Sequence, residues 1–161
     1  MRQLSAQLCL RPYTEEDLCR ILALFYDTVH SINLTDYTKA QADAWAPKEP
    51  DILRWQRLLK EEETWVAVQD GIIVGFANLD GNYFDCLYVH KDCQRRGIAS
   101  ALAEIIERRA AETGQLRLHA DASITARPFF EKRGYAVVRR QCVYRAGQQL
   151  INFAMERLLK K

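Results

Sequence analysis

One segment of the sequence, residues 87–100, constrains the fold more than any other. An apolar strand end at 87–89 is followed by a short polar loop and by a helix start with small residues from Gly97 onward. A helix start leaves backbone N–H groups unpaired and carries the positive end of the helix dipole, so it favours a bound anion. Glycine lets a ligand approach the backbone, and the arginine pair at 95–96 supplies positive charge. The segment therefore predicts a phosphate-binding strand–loop–helix unit, although it contains neither a Walker loop nor a G-x-G-x-x-G turn.

The elements around this unit predict a sheet with helices on both faces. Thr14 is placed to cap a helix with an apolar stripe, and the Asp-Gly pair at 70–71 marks a tight hairpin turn. This order of elements predicts an α/β (α+β) fold, in which a mixed, mostly antiparallel sheet of about seven strands is flanked by helices. We expect residues 1–161 to form a single domain. Strands are expected at 7–11, 64–69, 72–78, 83–90, 116–120, 135–145 and 148–155, and further helices at 38–45, 52–60, 97–113 and 125–132.

The composition argues against several classes of protein. The 23 basic and 21 acidic residues give a formal net charge of +2, which is too small to indicate a nucleic-acid partner. The five cysteines form no C-x-x-C pair and the three histidines lie far apart, so we expect neither a disulfide framework nor a metal site. No stretch approaches the ~20 apolar residues that cross a bilayer, and no signal peptide is evident. We therefore expect a cytoplasmic protein that does not bind membranes.

Two runs of residues carry a resemblance to a known family. Residues 94–99 read Gln-Arg-Arg-Gly-Ile-Ala, which matches the Q/R-x-x-G-x-G/A cofactor motif of the GCN5-related N-acetyltransferases (GNAT). Residues 126–135 resemble the A-x-x-F-Y-E-K-x-G-F stretch of the same family. The order of elements also fits, so the resemblance covers roughly the whole chain, in a bacterial-type branch. It implies an enzyme that moves an acetyl group from acetyl-CoA to a primary amine of a small molecule or peptide.

The resemblance implies a cofactor site along residues 87–132. The amides of residues 95–100 would hold the pyrophosphate, and backbone groups of Leu87 and Val89 would pair with the pantetheine and acetyl portions. Members of the family open a V-shaped gap between the fourth and fifth strands, often with a bulge in the fourth, which residues 83–90 neither prove nor exclude. The cofactor-binding candidates are Leu87, Tyr88, Val89, Gln94, Arg95, Arg96, Gly97, Ile98, Ala99, Ser100, Ser123, Phe129, Phe130 and Lys132.

Two aspartates are candidates for the base that deprotonates the amine. Period-two counting places Asp85 on the strand face shared by Leu87 and Val89, where it would point at the gap unless a bulge reverses the parity. The alternative for Asp85 is an ion pair with a neighbouring cation. Asp121, at the end of the next strand, is the second candidate base.

The proton donor is where the sequence departs from the family. The tyrosine that usually precedes Glu131 is Phe130 here, which has no proton to give. Ser123 and Tyr135 are the candidate acids, with core packing as the alternative for Tyr135, and solvent or the product amine can also protonate the thiolate. Direct attack is favoured over an acetylated Cys86, because alternation along the strand points Cys86 away from Asp85 and no base is adjacent to it in sequence. The absence of a tyrosine at position 130 also favours an alternative function, that of a catalytically weak regulatory module that binds acyl-CoA.

The acceptor pocket is predicted from the resemblance alone. The helices of the N-terminal half would border it, and their candidate contacts are His30, Tyr37, Trp45 and Trp55. Core packing is the alternative for the two tryptophans. An exposed edge formed by the last strands would allow a homodimer. The sequence does not identify the acceptor.

Overall fold

The structure of the protein, a computed structural model, describes residues 7–160. Its seven-stranded sheet has the order β1-β2-β3-β4-β5-β7-β6, and every neighbouring pair is antiparallel except the parallel pair β4 and β5. The predicted mixed, mostly antiparallel α/β sheet is confirmed. The strands are β1 (Cys9–Pro12), β2 (Glu63–Gln69), β3 (Ile72–Asp80), β4 (Tyr83–Val89), β5 (Arg117–Ser123), β6 (Ala136–Arg145) and β7 (Gln148–Leu158), and the helices are α1 (Leu18–Val29), α2 (Lys39–Trp45), α3 (Ile52–Glu61), α4 (Ile98–Glu112) and α5 (Arg127–Lys132).

Helices cover both faces of the sheet, as predicted. On one face, α1, α2 and α3 enclose an apolar cluster that includes Ile21, Phe25 and Phe76. On the other face, α4 and α5 enclose a second cluster around Leu102 and Phe84. The two faces therefore have separate cores, and a gap between two strands would connect them.

Gly75 in β3 brings α4 close to the sheet. A Cβ at this position would lie 3.0 Å from Leu102 Cδ1 and 3.1 Å from the Tyr88 carbonyl oxygen. A larger residue would therefore push the helix away from the strands. This close contact fixes the start of α4 beside the end of β4.

A buried ionic network anchors the far part of α4. Glu107 is 8% exposed and accepts hydrogen bonds from Arg133, from Arg157 at 2.7 Å and from the Tyr135 hydroxyl at 3.0 Å. Burial, followed by the charge of Glu107, raises the pKa of Tyr135. Tyr135 thus joins α4 to the C-terminal strands as a buried core residue, which confirms the core-packing alternative. This placement removes it from the candidate acids.

Replacing Glu107 by alanine is expected to lower the free energy of unfolding by about 3 kcal/mol, because two partly buried arginines would lose their counter-charge. Urea unfolding followed by circular dichroism measures the change. Glu131→Ala is the matched control, since Glu131 forms a solvent-accessible ion pair with Arg127 one turn away on α5, and such pairs contribute about 0.3–0.5 kcal/mol. Equal losses in the two variants would contradict a structural role for the network.

Within residues 7–160, no helix has the length and apolar character needed to span a bilayer. The same part of the chain contains no group of three or more His, Cys, Asp and Glu side chains placed to hold a metal ion.

Candidate active site

The strands β4 and β5 diverge soon after they begin to pair. Only Tyr83 with His119 and Phe84 with Ala120 are paired, whereas β4 continues to Val89 and β5 to Ser123. The remaining backbone of both strands therefore borders an opening in the sheet. This is the gap that the family resemblance implied.

A bulge in β4 changes which way Asp85 points. Asn78 of β3 pairs with Cys86, but the next residue, Leu79, pairs with Phe84, so Asp85 is an extra residue without a partner. The buried Asn78 side chain stabilises this bulge, because its Oδ1 accepts a hydrogen bond from the Cys86 N–H at 2.7 Å. The expectation that Asp85 shares a face with Leu87 and Val89 was therefore wrong.

The bulge places Asp85 on the face that also carries Cys86. Leu87 and Val89 pack into the cluster under α4, whereas Cys86 and Tyr88 pack into the cluster under α1. Asp85 lines the cavity on the second of these faces. The earlier expectation that Cys86 points away from Asp85 is also corrected.

A groove of about 830 Å³ runs along the start of α4 and into the gap. Gly97 has φ +81° and Arg95 has φ +60°, and no side chain within residues 7–160 caps the helix. A Cβ built on Gly97 would meet no atom within 4 Å, so the helix start is open to a ligand. Among the cofactor candidates, Arg96 alone does not line the groove. The lining candidates are Leu87, Tyr88, Val89, Gln94, Arg95, Gly97, Ile98, Ala99, Ser100, Ser123, Phe129, Phe130 and Lys132.

The backbone of β4 presents one strand edge to the gap. The His90 N–H donates to the Val74 carbonyl at 2.8 Å, so alternation turns the polar groups of Leu87 and Val89 toward the opposite edge. The Val89 carbonyl already accepts hydrogen bonds from Thr28 Oγ1 at 3.0 Å and Gln94 Nε2 at 2.8 Å. Gln94 therefore ties the loop to the strand end, and the N–H groups of Leu87, nearer the middle of the gap, and of Val89 face the opening.

A second cavity of about 460 Å³ lies on the opposite face of the sheet, beneath α2 and α3. Its walls include three of the four acceptor candidates, Tyr37, Trp45 and Trp55, together with Arg54. His30 lines neither cavity, because its Nε2 lies 2.8 Å from the Ala46 carbonyl oxygen and its ring stacks on Tyr26. We therefore no longer place His30 among the acceptor contacts.

The two cavities meet at the gap. Asp121 accepts hydrogen bonds from the Tyr83 hydroxyl and from Gln141, both at 2.8 Å. Ser123 Oγ accepts from the Ala126 N–H at 3.0 Å, which leaves its own proton free to be donated. The side chains that line both cavities are Trp45, Asp85, Cys86, Tyr88, Asp121 and Ser123.

Burial governs the titration of the neighbouring groups. It raises the pKa of the Cys86 thiol well above its usual value, and the charge of Asp85 adds to this shift. Burial and the hydrogen bond to Asp121 raise the pKa of Tyr83. Cys86 is thus a neutral thiol at physiological pH, which makes it a poor nucleophile.

Two residues of this site were missed from the sequence. Tyr83 holds Asp121 in place across the two diverging strands. Glu62, the residue just after α3, is a half-buried carboxyl group whose pKa is raised to about 9, first by burial and then by the neighbouring Asp85. Tyr83 begins a predicted strand, and nothing else in the sequence marks it as a site residue. The position of Glu62 beside Asp85 depends on the bulge in β4, which the sequence does not reveal.

Comparisons with known proteins agree with this geometry. Residues 33–157 match the family described as an acetyltransferase (GNAT) domain. The uncharacterized N-acetyltransferase YafP of Escherichia coli K12 is 36% identical over 146 residues, covering 91% of this chain and 93% of that protein. A GCN5-related N-acetyltransferase from Rhodopseudomonas palustris has a crystal structure with a TM-score of 0.93 and 34% identity, covering 99% of this chain and 100% of that one.

A more distant structure shares the fold. The PaiA N-acetyltransferase of Thermoplasma acidophilum, solved in complex with coenzyme A, gives a TM-score of 0.77 at 15% identity, covering 94% of this chain and 99% of that one. The family match spans most of the chain, and both YafP and the R. palustris protein exceed 30% identity over nearly their whole length. The chain therefore belongs to the GNAT family of N-acetyltransferases, enzymes that use acetyl-CoA as the acyl donor.

Proposed function

We propose that this chain transfers an acetyl group from acetyl-CoA to a primary amine of a small molecule or peptide by direct attack. The groove at α4 would take the donor, and the cavity beneath α2 and α3 would take the acceptor. One observation carries the proposal: the two cavities lie on opposite faces of the sheet and meet at Asp85 and Ser123. An amine and a thioester can therefore approach each other through the gap.

The groove fits the diphosphate of coenzyme A. Uncapped N–H groups at the start of α4 donate to an anion, and the left-handed Gly97 leaves room for it. Arg95 and Lys132 also line the groove and supply positive charge. The same fold in PaiA of T. acidophilum was solved with coenzyme A. When bound, acetyl-CoA supplies the activated acetyl group.

Leu87 is proposed to polarise the acetyl carbonyl. Its N–H faces the middle of the gap, where β4 has no neighbouring strand. A preorganised backbone donor of this kind contributes about 2.7–4 kcal/mol to lowering the barrier when its hydrogen bond strengthens in the transition state.

Asp85 is proposed as the base and Ser123 as the proton donor. Asp85 reaches the junction from the acceptor side, where it can take a proton from the amine nitrogen as that nitrogen attacks. Ser123 lies at the end of β5 and can donate its hydroxyl proton toward the departing sulfur. Asp121 also lines the junction, but two donors already occupy its carboxylate. We therefore rank it second as a base.

A thiol-release assay with a panel of amines tests the proposal. Acetyl-CoA is incubated with enzyme and each amine, and the free thiol of CoA is followed continuously. Turnover that depends on an amine supports the acetyltransferase assignment for this chain. Tight binding of acetyl-CoA without turnover on any amine would contradict it and would favour the alternative, a regulatory acyl-CoA-binding module. Phe130, which packs against Phe84 and Tyr135 in place of a tyrosine acid, is the observation that keeps this alternative.

Direct attack makes its own prediction at Cys86. Because the Cys86 thiol stays protonated, Cys86→Ala is expected to retain turnover within about tenfold, whereas loss of a covalent nucleophile would remove nearly all of it. Intact-protein mass spectrometry after incubation with acetyl-CoA alone provides the second measurement. A stable acetyl adduct on the wild-type protein that disappears in the variant would contradict direct attack.

Three further features of the protein are proposed with this function. Residues 1–161 form one acetyltransferase domain. The protein is cytoplasmic, which its five unpaired cysteines support because free thiols persist in reducing compartments. It forms a homodimer through β6. This edge strand exposes Val138 and Tyr144, which supports pairing with a second copy.

A further inference from the structure

The acceptor cavity, the one beneath α2 and α3, extends well beyond the point where the two cavities meet. Gln141 of β6 donates to Asp121 at 2.8 Å, so Gln141 marks the place where this outer strand reaches the junction. Val143 and Arg145 follow on the same face of β6 by alternation, and both line the cavity. Arg145 is four residues beyond Gln141, which is roughly 13 Å along a strand. The cavity therefore has room for more than an amine group.

Aromatic side chains form much of the wall of this cavity. The ring centroid of Trp45 lies 5.3 Å from that of Tyr37 and 6.3 Å from that of Tyr88. The ring centroid of Phe25 lies 4.9 Å from those of Trp55 and Tyr88. All five rings line the cavity, and their mutual contacts hold them in place. The wall thus offers a preformed apolar surface, which fits an acceptor with an apolar or aromatic body.

Two arginines line the same cavity from two separate elements. Arg54 belongs to α3, in the helical wall, and Arg145 belongs to β6, in the floor. Within residues 7–160, neither guanidinium group has an ion pair, a hydrogen bond or an aromatic ring as a partner. By contrast, Arg127 and Arg133 each pair with a glutamate. An exposed arginine is usually a solvated surface side chain, but these two border an aromatic cavity with their positive charge unpaired.

The carboxylates of the cavity are distributed differently from the arginines. Asp85 and Asp121 lie at the junction, where they also line the groove at α4. Asp51 lies away from it and caps α3, because its Oδ1 accepts a hydrogen bond from the Arg54 N–H at 3.1 Å. Neither arginine of the cavity lines the groove at α4. The cavity is therefore acidic at the junction, whereas arginines outnumber the single aspartate further out.

We propose that the acceptor is an elongated amine with an apolar or aromatic body and a carboxylate at the end remote from the amine, and that Arg54 and Arg145 bind this carboxylate. The inference rests on the proposed acetyl transfer and names the substrate class for the same cavity. Guanidinium groups are the side chains best suited to pair with a carboxylate. The amine then lies at Asp85, and the body lies along the aromatic wall.

A tripeptide has the required chemistry and length. Phe-Gly-Gly carries a free amine, an aromatic ring and a terminal carboxylate, and three extended residues span at most about 11 Å. Its C-terminal amide is the matched ligand, since it lacks only the negative charge. Isothermal titration calorimetry with saturating CoA, which cannot donate an acetyl group, measures both affinities without turnover. The wild-type protein is expected to bind the free acid about tenfold more tightly than the amide, because each exposed ion pair contributes up to about fivefold.

Substitution of the arginines tests where this preference arises. The double variant Arg54→Gln/Arg145→Gln is expected to bind the two peptides equally, and each single variant is expected to show an intermediate preference. The double variant Arg57→Gln/Arg140→Gln is the matched control, because it removes the same amount of charge from the same two elements. Arg57 and Arg140 are exposed, and they line neither the acceptor cavity nor the groove at α4. The control is expected to keep the tenfold preference.

Steady-state kinetics add a readout that a general loss of charge would not move. If Phe-Gly-Gly is acetylated, Arg54→Gln/Arg145→Gln is expected to raise its KM about tenfold with little change in kcat, since the carboxylate is bound equally before and during the reaction. The KM for the amide is expected to stay at its wild-type value.

The outcomes separate this inference from the proposed function. Equal affinity of the wild-type protein for the two peptides, binding of neither peptide, or a preference that survives in Arg54→Gln/Arg145→Gln would overturn the carboxylate site. A preference for the free acid without acetylation of any amine would support the site and contradict the proposed function. Acetylation of both peptides with the same KM would support the function and contradict the site.

Discussion

Replacing Gly97 by glutamate is expected to weaken binding of CoA by at least about 100-fold. The new side chain would enter the open space at the start of α4 and put a negative charge where the diphosphate must lie. Losing two charge-assisted hydrogen bonds alone accounts for a loss of this size, since each contributes about 1.5–3 kcal/mol. Isothermal titration calorimetry with CoA, which needs no acceptor, measures the effect directly.

The same helix provides the control for backbone strain. Gly97 has φ +81° and Gly114, just after the other end of α4, has φ +88°, and neither Cβ would meet an atom within 4 Å. Both glutamate variants therefore carry a similar conformational strain of roughly 1–3 kcal/mol. Gly114→Glu is expected to lower thermal stability but to bind CoA like the wild type. Normal CoA affinity in a folded Gly97→Glu protein would show that the diphosphate lies elsewhere.

The cofactor groove was predictable because its chemistry is local in sequence. A strand end, a loop with two arginines and a glycine at a helix start follow one another within 14 residues, so no tertiary contact is needed to recognise them. Even here, the roles of single residues depended on the fold. Arg96 does not line the groove, and Gln94 binds the carbonyl oxygens of Val89 and His90.

The catalytic face was harder to predict because it depends on strand register. Counting by twos along β4 is valid only for a regular strand, and one extra residue at Asp85 reverses the result. The bulge is held by Asn78 from another strand, and the carboxyl group whose pKa Asp85 helps to raise, that of Glu62, lies 23 positions earlier in the chain. Core packing of Tyr135, one of the two alternatives drawn from the sequence, is confirmed. Its partner Glu107 was not predictable, because it belongs to a helix that reaches Tyr135 only in the folded protein.

Replacing Asp85 by asparagine is expected to lower kcat by about 100-fold or more at neutral pH, the usual contribution of a positioned general base. Asparagine keeps the size of the side chain, and the bulge is held by Asn78, so the bulge and the acceptor cavity should persist. The acceptor amine is an ammonium ion at low pH and needs the base, whereas at high pH it arrives already deprotonated. The deficit is therefore expected to be largest at low pH and to shrink as the pH rises.

Asp121→Asn decides between the two candidate bases. Asp121 lines the same junction but accepts hydrogen bonds from Tyr83 and Gln141. Its replacement should therefore disturb the contact between β4 and β5, and any loss of kcat should be the same at low and high pH. Steady-state kinetics from acidic to alkaline pH, with one amine and all three proteins, measure this. A pH-dependent deficit in Asp121→Asn together with an unchanged profile in Asp85→Asn would transfer the base role to Asp121.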